Sequence, residues 1–250
     1  MKDKTINLLI SFFTGILLVL FFYLLSMAVE EGSFAHRLLV MLGGDLPAGL
    51  IQGFTYILFC YGVLDIFRLR RSIDREWQSL GMHLLPEKEQ LVLGPEEVAG
   101  IKLKMIDIQA REDFIMVDLI KQACTKFRAN KSVSEALDLL TVQSAVYLRE
   151  SESEQSMIRY VIGAIPSVGF IGTVIGIAAS LGAANDAITS AGISKITGLL
   201  NIAFDTTLVA LVLSIFLLFF FHRLEEKVEK THTAIESYIL ENLINRIYVR

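Results

Sequence analysis

Two stretches of the chain place small and hydroxyl side chains at helical spacing inside long apolar runs. In the first, Gly169, Thr173, Gly176 and Ser180 follow one another at steps of four, three and four. That spacing sets them on one side of a 3.6-residue helix. In the second, Ala203, Thr207, Ala210 and Ser214 make a matching stripe. With a connecting loop from Ala184 to Thr197, Thr173 and Thr207 each lie about ten residues from it, or roughly 15 Å, near the middle of a ~30 Å hydrocarbon core. Two threonines from antiparallel neighbours would then meet at mid-membrane. Hydroxyls at that depth either hydrogen-bond a neighbouring helix as packing glue or line a path for water and a small cation. Spacing by itself favours glue.

Asp205 stands beside this stripe, followed by Thr206. An acid in a membrane helix costs ~2.5–3.5 kcal/mol on insertion scales, which makes it a functional candidate. It is two residues from Thr207, so it points about 200° away around the helix and shares a face with Asn201. Three readings are open: a protonated carboxyl bonded to an adjacent helix, part of an outer ring that attracts cations, or a proton carrier.

The elements that must position these residues are membrane spans. The chain has 250 residues, 53% hydrophobic, with a formal charge of −4, and its apolar residues are gathered in blocks. The expected spans are about 6–29, 46–67, 158–184 and 198–221. The first is too long for a signal peptide and lacks a clear small-residue cleavage site. Its phenylalanines suit a lipid-facing surface. The second carries Gly49, Gly53 and Gly62, which permit close approach to a neighbour. Positive charge gathers at Lys2 and Lys4, at Arg68, Arg70 and Arg71, at Arg159, and at Arg223, Lys227 and Lys230, whereas the opposite loops hold only Arg37 and Lys195. Both termini and the middle segment are therefore expected in the cytoplasm.

Residues 68–157 read as a cytoplasmic helical region. The second span continues to about Leu85, and Pro86 to Pro95 is a break. Helical periodicity then runs over 96–128, and Ser132-x-x-Glu135 is a capping box opening a further helix. The whole reads as a helical hairpin. Its charge clusters (Glu87-Lys88-Glu89, Arg149-Glu150, Glu152, Glu154) read first as solvated faces, with contact to a cytoplasmic protein partner as the minority reading. Residues 222–250 read as an amphipathic cytoplasmic helix with Leu224, Val228, Ile235, Ile239 and Leu243 on its apolar side. It packs either around an oligomer axis or against its own subunit. The expected fold is thus an all-α membrane protein with four transmembrane helices, a cytoplasmic hairpin and a C-terminal cytoplasmic helix.

Several function classes lack support. There is no basic balance or stacking motif for nucleic acid. No Gly-x-Ser-x-Gly, paired intramembrane aspartates or His/Glu metal set points to an enzyme, and no cofactor or metal is expected. Cys60 and Cys124 read as free thiols.

Pro166-x-x-Gly169-x-x-Gly172-Thr173-Val-x-Gly176-Ile resembles the core signature of the MotA/TolQ/ExbB proton-channel family. Ala203-Phe-Asp-Thr-Thr207 resembles that family's final pore helix, with a threonine at the position of Thr207. The resemblance covers about Ile158 to Phe221. It implies a homo-oligomeric ring in the bacterial inner membrane, five copies around two single-pass helices of a MotB/TolR/ExbD-like partner. That partner would supply the ion-carrying aspartate, so the resemblance makes carrier the weakest reading of Asp205. Thr173, Thr207, Thr206 and Asp205 would line or flank the ion path. Pro166, Gly169, Gly172, Gly176, Ser180, Ala203 and Ala210 would serve packing or hinging. The transported ion would be H⁺, with Na⁺ as the alternative. The function so implied is the pore-forming subunit of an ion-driven motor. The competing reading is a non-conducting membrane scaffold that docks a cytoplasmic protein.

Overall fold

The computed structural model describes residues 2–87, 92–184 and 189–248. Lys88 and Glu89 of the first charge cluster, and residues 185–188 of the outer connection, lie outside the described residues. The elements in chain order are α1 (Lys2–Ala28), α2 (Phe34–Leu39) running into a π-helical turn (Val40–Gly44), α3 (Leu46–Leu80), α4 (Pro95–Gln109), α5 (Ile115–Asn130), α6 (Val133–Glu154), α7 (Ser156–Gly182), α8 (Ser190–Asn242) and a closing 3₁₀ turn (Ile244–Arg246). Among the described residues the only β-type pairing is the isolated bridge between Leu93 and Ile247. Among the described residues, four helical segments are long and apolar enough to cross a membrane.

The chain divides into two units, one of Met1–Arg68 with Ser156–His222 and one of Leu69–Gln155 with Arg223–Arg250. The first holds the apolar parts of α1, α3, α7 and α8. These helices approach through small residues. A Cβ added at Gly15 would sit 2.4 Å from Ile57, and one at Gly62 would sit 2.7 Å from Leu217. Without a hydrophobic drive between helices in lipid, such close backbone packing is a main source of association. Phe12, Phe13 and Phe21 are exposed, as a lipid-facing surface requires.

Between the first two spans, the sequence reads as a short polar interval, yet the structure has α2 and the π-turn. Ser33 caps α2 by accepting the His36 N–H at 3.1 Å. Gly43 takes φ 110°, a left-handed conformation that glycine adopts without Cβ strain. Tyr56 then donates its hydroxyl to Leu42 O at 2.8 Å, and Ser26 donates to Gly44 O at 3.0 Å. The turn is thus held from both neighbouring helices.

In the second unit α4 packs on α5 and α5 on α6. Met105, Met116, Ile120, Phe127 and Leu140 are fully buried there with Ile235 and Ile239 of α8. Of the two placements open to the C-terminal amphipathic stripe, the structure has it packed within its own chain. The periodicity over 96–128 read as one helix; the structure breaks it at Ala110–Phe114. Phe114 is extended, and Glu76 Oε2 of α3 accepts the first free N–H of α5, from Ile115, at 3.0 Å. The cap that starts α5 therefore comes from another helix. Ser132 does cap α6, accepting from Glu135 N at 3.3 Å. The Glu135 carboxylate, however, turns to Lys126 and Asn130 rather than closing a reciprocal box.

Candidate functional site

Helices α7 and α8 meet along the two small-residue stripes. A Cβ at Gly169 would lie 2.6 Å from Ala210 Cβ, one at Gly172 would lie 2.4 Å from Thr206 Oγ1, and one at Gly176 would lie 2.7 Å from Ala203 Cβ. None of the three has room for a side chain. Ser180 closes the same face, donating to Ile196 O at 3.4 Å. The glycine, alanine and serine positions picked out by spacing thus form one continuous contact.

At the middle of that contact Thr173 and Thr207 come together, hydroxyl to hydroxyl. Each also reaches across to the other helix. Thr173 Oγ1 is 3.0 Å from Ala203 O, and Thr207 Oγ1 is 3.1 Å from Gly169 O. Each hydroxyl has one proton and two lone pairs. The pair therefore has two orders. Either Thr173 donates to Thr207, which donates to Gly169 O, or Thr207 donates to Thr173, which donates to Ala203 O. Rotation about two C–O bonds exchanges them. Both residues are half-buried, and in each order one oxygen keeps a lone pair that the pair itself does not use.

Thr206 sits differently. It is 1% exposed, is pressed against Gly172, and donates to Ile202 O and Ala203 O of its own helix, each at 3.1 Å. Its position is that of a packing residue.

Pro166 has no N–H, so the carbonyl of Ile162 one turn earlier loses its helical donor. Ser214 Oγ of α8 donates to that carbonyl at 3.1 Å. The serine at the far end of the second stripe thereby compensates the proline.

Asp205 is ion-paired to Arg37 of α2, with Nη1–Oδ2 at 2.5 Å and Nη2–Oδ1 at 2.8 Å. This is a two-pronged fork, the strongest geometry for such a pair. The Asp205 side chain is 8% exposed and that of Arg37 46%. The hydrogen bond that Arg37 donates to Asp205 raises the guanidinium pKa above its ordinary value, against the opposing effect of burial. None of the three readings open from sequence had an arginine of the same chain as partner. In the sequence Arg37 reads only as an isolated charge of an outer loop. Nothing in the sequence links two residues 168 positions apart. Sequence reading also passed over Asp65, which is fully buried at the charged end of the second span and lies 2.8 Å from Arg68 Nε. The contact is an ion pair rather than a well-angled hydrogen bond.

The model of the MotA/TolQ/ExbB proton channel family matches residues 111–237. This chain belongs to that family. The match runs well beyond the span motifs, taking in α5, α6, α7 and most of α8. No curated protein and no solved structure matches the chain. Family membership and four apolar helices of spanning length make it a multi-pass membrane protein, a channel-type subunit of an ion-driven motor.

Proposed function

We propose that the chain is the ring-forming subunit of an inner-membrane motor in which ion flow past α7 and α8 drives movement of a single-pass partner. Five copies surround two partner helices, and the partner carries the protonatable aspartate at the depth of Thr173 and Thr207. The observation that carries this reading is the hydroxyl pair itself. It lies near the middle of the two expected spans, 158–184 and 198–221, on two helices of spanning length and inside the stretch that the family model matches. A carboxyl group passing the pair can donate to one threonine oxygen in its protonated form and accept from a threonine proton in its ionised form. The exchange of proton order decides which oxygen has its lone pair open, and a threonine proton reaches the ionised carboxylate by rotation of that hydroxyl away from its carbonyl, neither of which moves the backbone.

The charge pattern supports an orientation with both termini and the second unit in the cytoplasm. Arg37 and Asp205 then lie towards the outer surface. The fork occupies both oxygens of Asp205, which favours a clamp fixing α2 to the outer part of α8 over a mobile proton carrier. Pro166 and Ser214 lie towards the inner end, where a helix with one side-chain-mediated bond in its ladder bends at low cost. The electrical part of the driving force is worth ~2.3 kcal/mol per charge per 100 mV. The coupling ion is the proton, and the driven process is defined by the partner's extracytoplasmic part.

Native mass spectrometry of the gently extracted complex tests the assembly. A mass of five chains plus two of a single-pass protein with a membrane aspartate is expected. A bare monomer or dimer carrying only soluble companions would replace the motor with the scaffold reading.

A further inference from the structure

Helix α2 has two unlike faces. Its cap Ser33 and its residues His36, Arg37 and the following Val40 fall on one side of the helix, and all four line a cavity of about 640 Å³. Phe34 and Leu38, four residues apart on another side, are exposed apolar groups. Across the cavity stands one side of α8, with Lys195, Gly198, Ile202 and Asp205 at steps of three, four and three. Both walls belong to the first unit. Because α2 joins α1 to α3, two helices of spanning length, the cavity lies at the end of the spans, at the level of lipid headgroups. Its size is within the range of ligand sites.

The charges of the lining are of both signs. The Arg37–Asp205 fork is part of it. That fork takes two of the five N–H donors of the guanidinium and leaves three for a ligand, on a side chain that is still half exposed. Lys195 adds an ammonium group, and Asp45, at the start of α3, adds a carboxylate that enters no ion pair among the described residues. His36 is held by its own surroundings, its Nδ1 lying 3.1 Å from Ser26 O. With Asp205 offset by Arg37, the lining keeps one further charge of each sign. A purely anionic headgroup would be opposed by Asp45. A headgroup with a phosphate and a primary ammonium matches both, the phosphate accepting from Arg37 and Lys195 and the ammonium donating to Asp45. Val40, Leu199 and Ile202 complete the lining with apolar surface. That surface suits the ester end of a lipid and has no counterpart in a soluble phosphate ester.

We propose that the cavity between α2 and α8 seats the headgroup of a phosphatidylethanolamine-type lipid, with its phosphate on Arg37 and Lys195, its ammonium on Asp45 and its ester end against Val40, Leu199 and Ile202. The acyl chains run out into the membrane beside Phe34 and Leu38. The bound lipid braces α2 against α8 on top of the fork. This site requires that the helices span a membrane and is independent of what passes along α7 and α8.

The test is native mass spectrometry of the full-length protein with whatever co-purifies, stripped of lipid by detergent exchange. It is then offered dioleoyl phosphatidylethanolamine, phosphatidylglycerol or phosphatidylcholine. Phosphatidylcholine keeps the phosphate and the positive charge but has no N–H to donate. Retention of up to one phosphatidylethanolamine per chain is expected, about threefold to fivefold tighter than either other lipid, the equivalent of one partly exposed ion pair. Asp45→Asn should remove that preference. A Cβ at Gly198 meets nothing within 4 Å, so Gly198→Phe should fill the cavity and abolish retention. Gly100→Phe on α4 of the second unit, where a Cβ also meets nothing within 4 Å, should leave retention unchanged. Equal retention of the three lipids would overturn the proposal. So would a preference that survives Asp45→Asn, retention that survives Gly198→Phe in an intact complex, or equal binding of soluble glycerophosphoethanolamine.

Discussion

Ser214 Oγ donates to the carbonyl of Ile162, the group that Pro166 deprives of its helical N–H. A proline inside a helix removes one hydrogen bond and adds a clash, and a buried carbonyl left bare is a further cost. The serine makes the proline tolerable in α7. Ser214→Ala should lower stability by about 1–2 kcal/mol, read as a drop in the thermal midpoint of the purified protein. In a Pro166→Ala background the Ile162 carbonyl regains its donor, so the same Ser214→Ala change should cost much less. Equal costs in both backgrounds would show that the serine does not compensate the proline.

The α7–α8 contact predicts a sharp contrast between glycines. Gly176→Ala places a Cβ 2.7 Å from Ala203 Cβ, and overpacking of this kind costs about 1–3 kcal/mol. Gly182→Ala in the same helix meets nothing within 4 Å and should be neutral or stabilising by up to about 1 kcal/mol from helix propensity. Thermal unfolding of the two variants side by side distinguishes them. Similar behaviour would mean that α7 and α8 are not packed on these glycines.

The Arg37–Asp205 fork should behave as a coupled pair. Arg37→Ala leaves a nearly buried carboxylate without its partner and should destabilise by roughly 1–3 kcal/mol, less than a fully buried pair because Arg37 is half exposed. Adding Asp205→Ala should recover most of that loss, since no charge then remains to be compensated. A double-mutant cycle with no coupling energy would reduce the fork to an incidental contact.

Glu76 makes stability depend on pH. Its folded pKa, about 7, is raised above the ordinary 4.5. The neutral carboxyl is favoured in the folded state, so its contribution is fully present below pH 4.5 and is lost as pH rises through 7. Glu76→Gln keeps an acceptor for the Ile115 N–H but does not titrate. Near pH 8 the variant should be more stable than the parent by about 1–3 kcal/mol, allowing for partial exposure. Near pH 4.5 the two should converge. Unfolding midpoints at both pH values check this, and parallel pH profiles would show that Glu76 is not desolvated.

How far the sequence carries depends on whether the governing interaction is local. The apolar runs, the Ser132 cap and the small-residue stripes are local patterns, and each is read from neighbours three or four residues apart. The meeting of Thr173 and Thr207 was also legible, because depth in a membrane is set by counting residues from a loop. The split between α4 and α5 was not, since its cap is Glu76 from α3. Nor was the π-turn before α3, which is held by Tyr56 and Ser26. Asp205 shows the limit most clearly. Its face and depth follow from spacing, but its partner Arg37 comes from a six-residue helix too short to announce itself. Ser214 was seen as a stripe residue, whereas its task depends on a proline 48 positions earlier.

The central claim is that the Thr173–Thr207 pair takes part in ion transfer rather than only in packing. The most direct test is proton flux through the complex, reconstituted in liposomes with its co-purifying partner, for the parent and for Thr173→Val with Thr207→Val. Replacing both hydroxyls by methyls of similar shape leaves no unpaired hydroxyl behind, so assembly should persist. The account predicts an intact complex, verified by its mass, with flux reduced about tenfold or more, the rate equivalent of one lost hydrogen bond. An intact complex with undiminished flux would contradict it and leave the two threonines as helix packing.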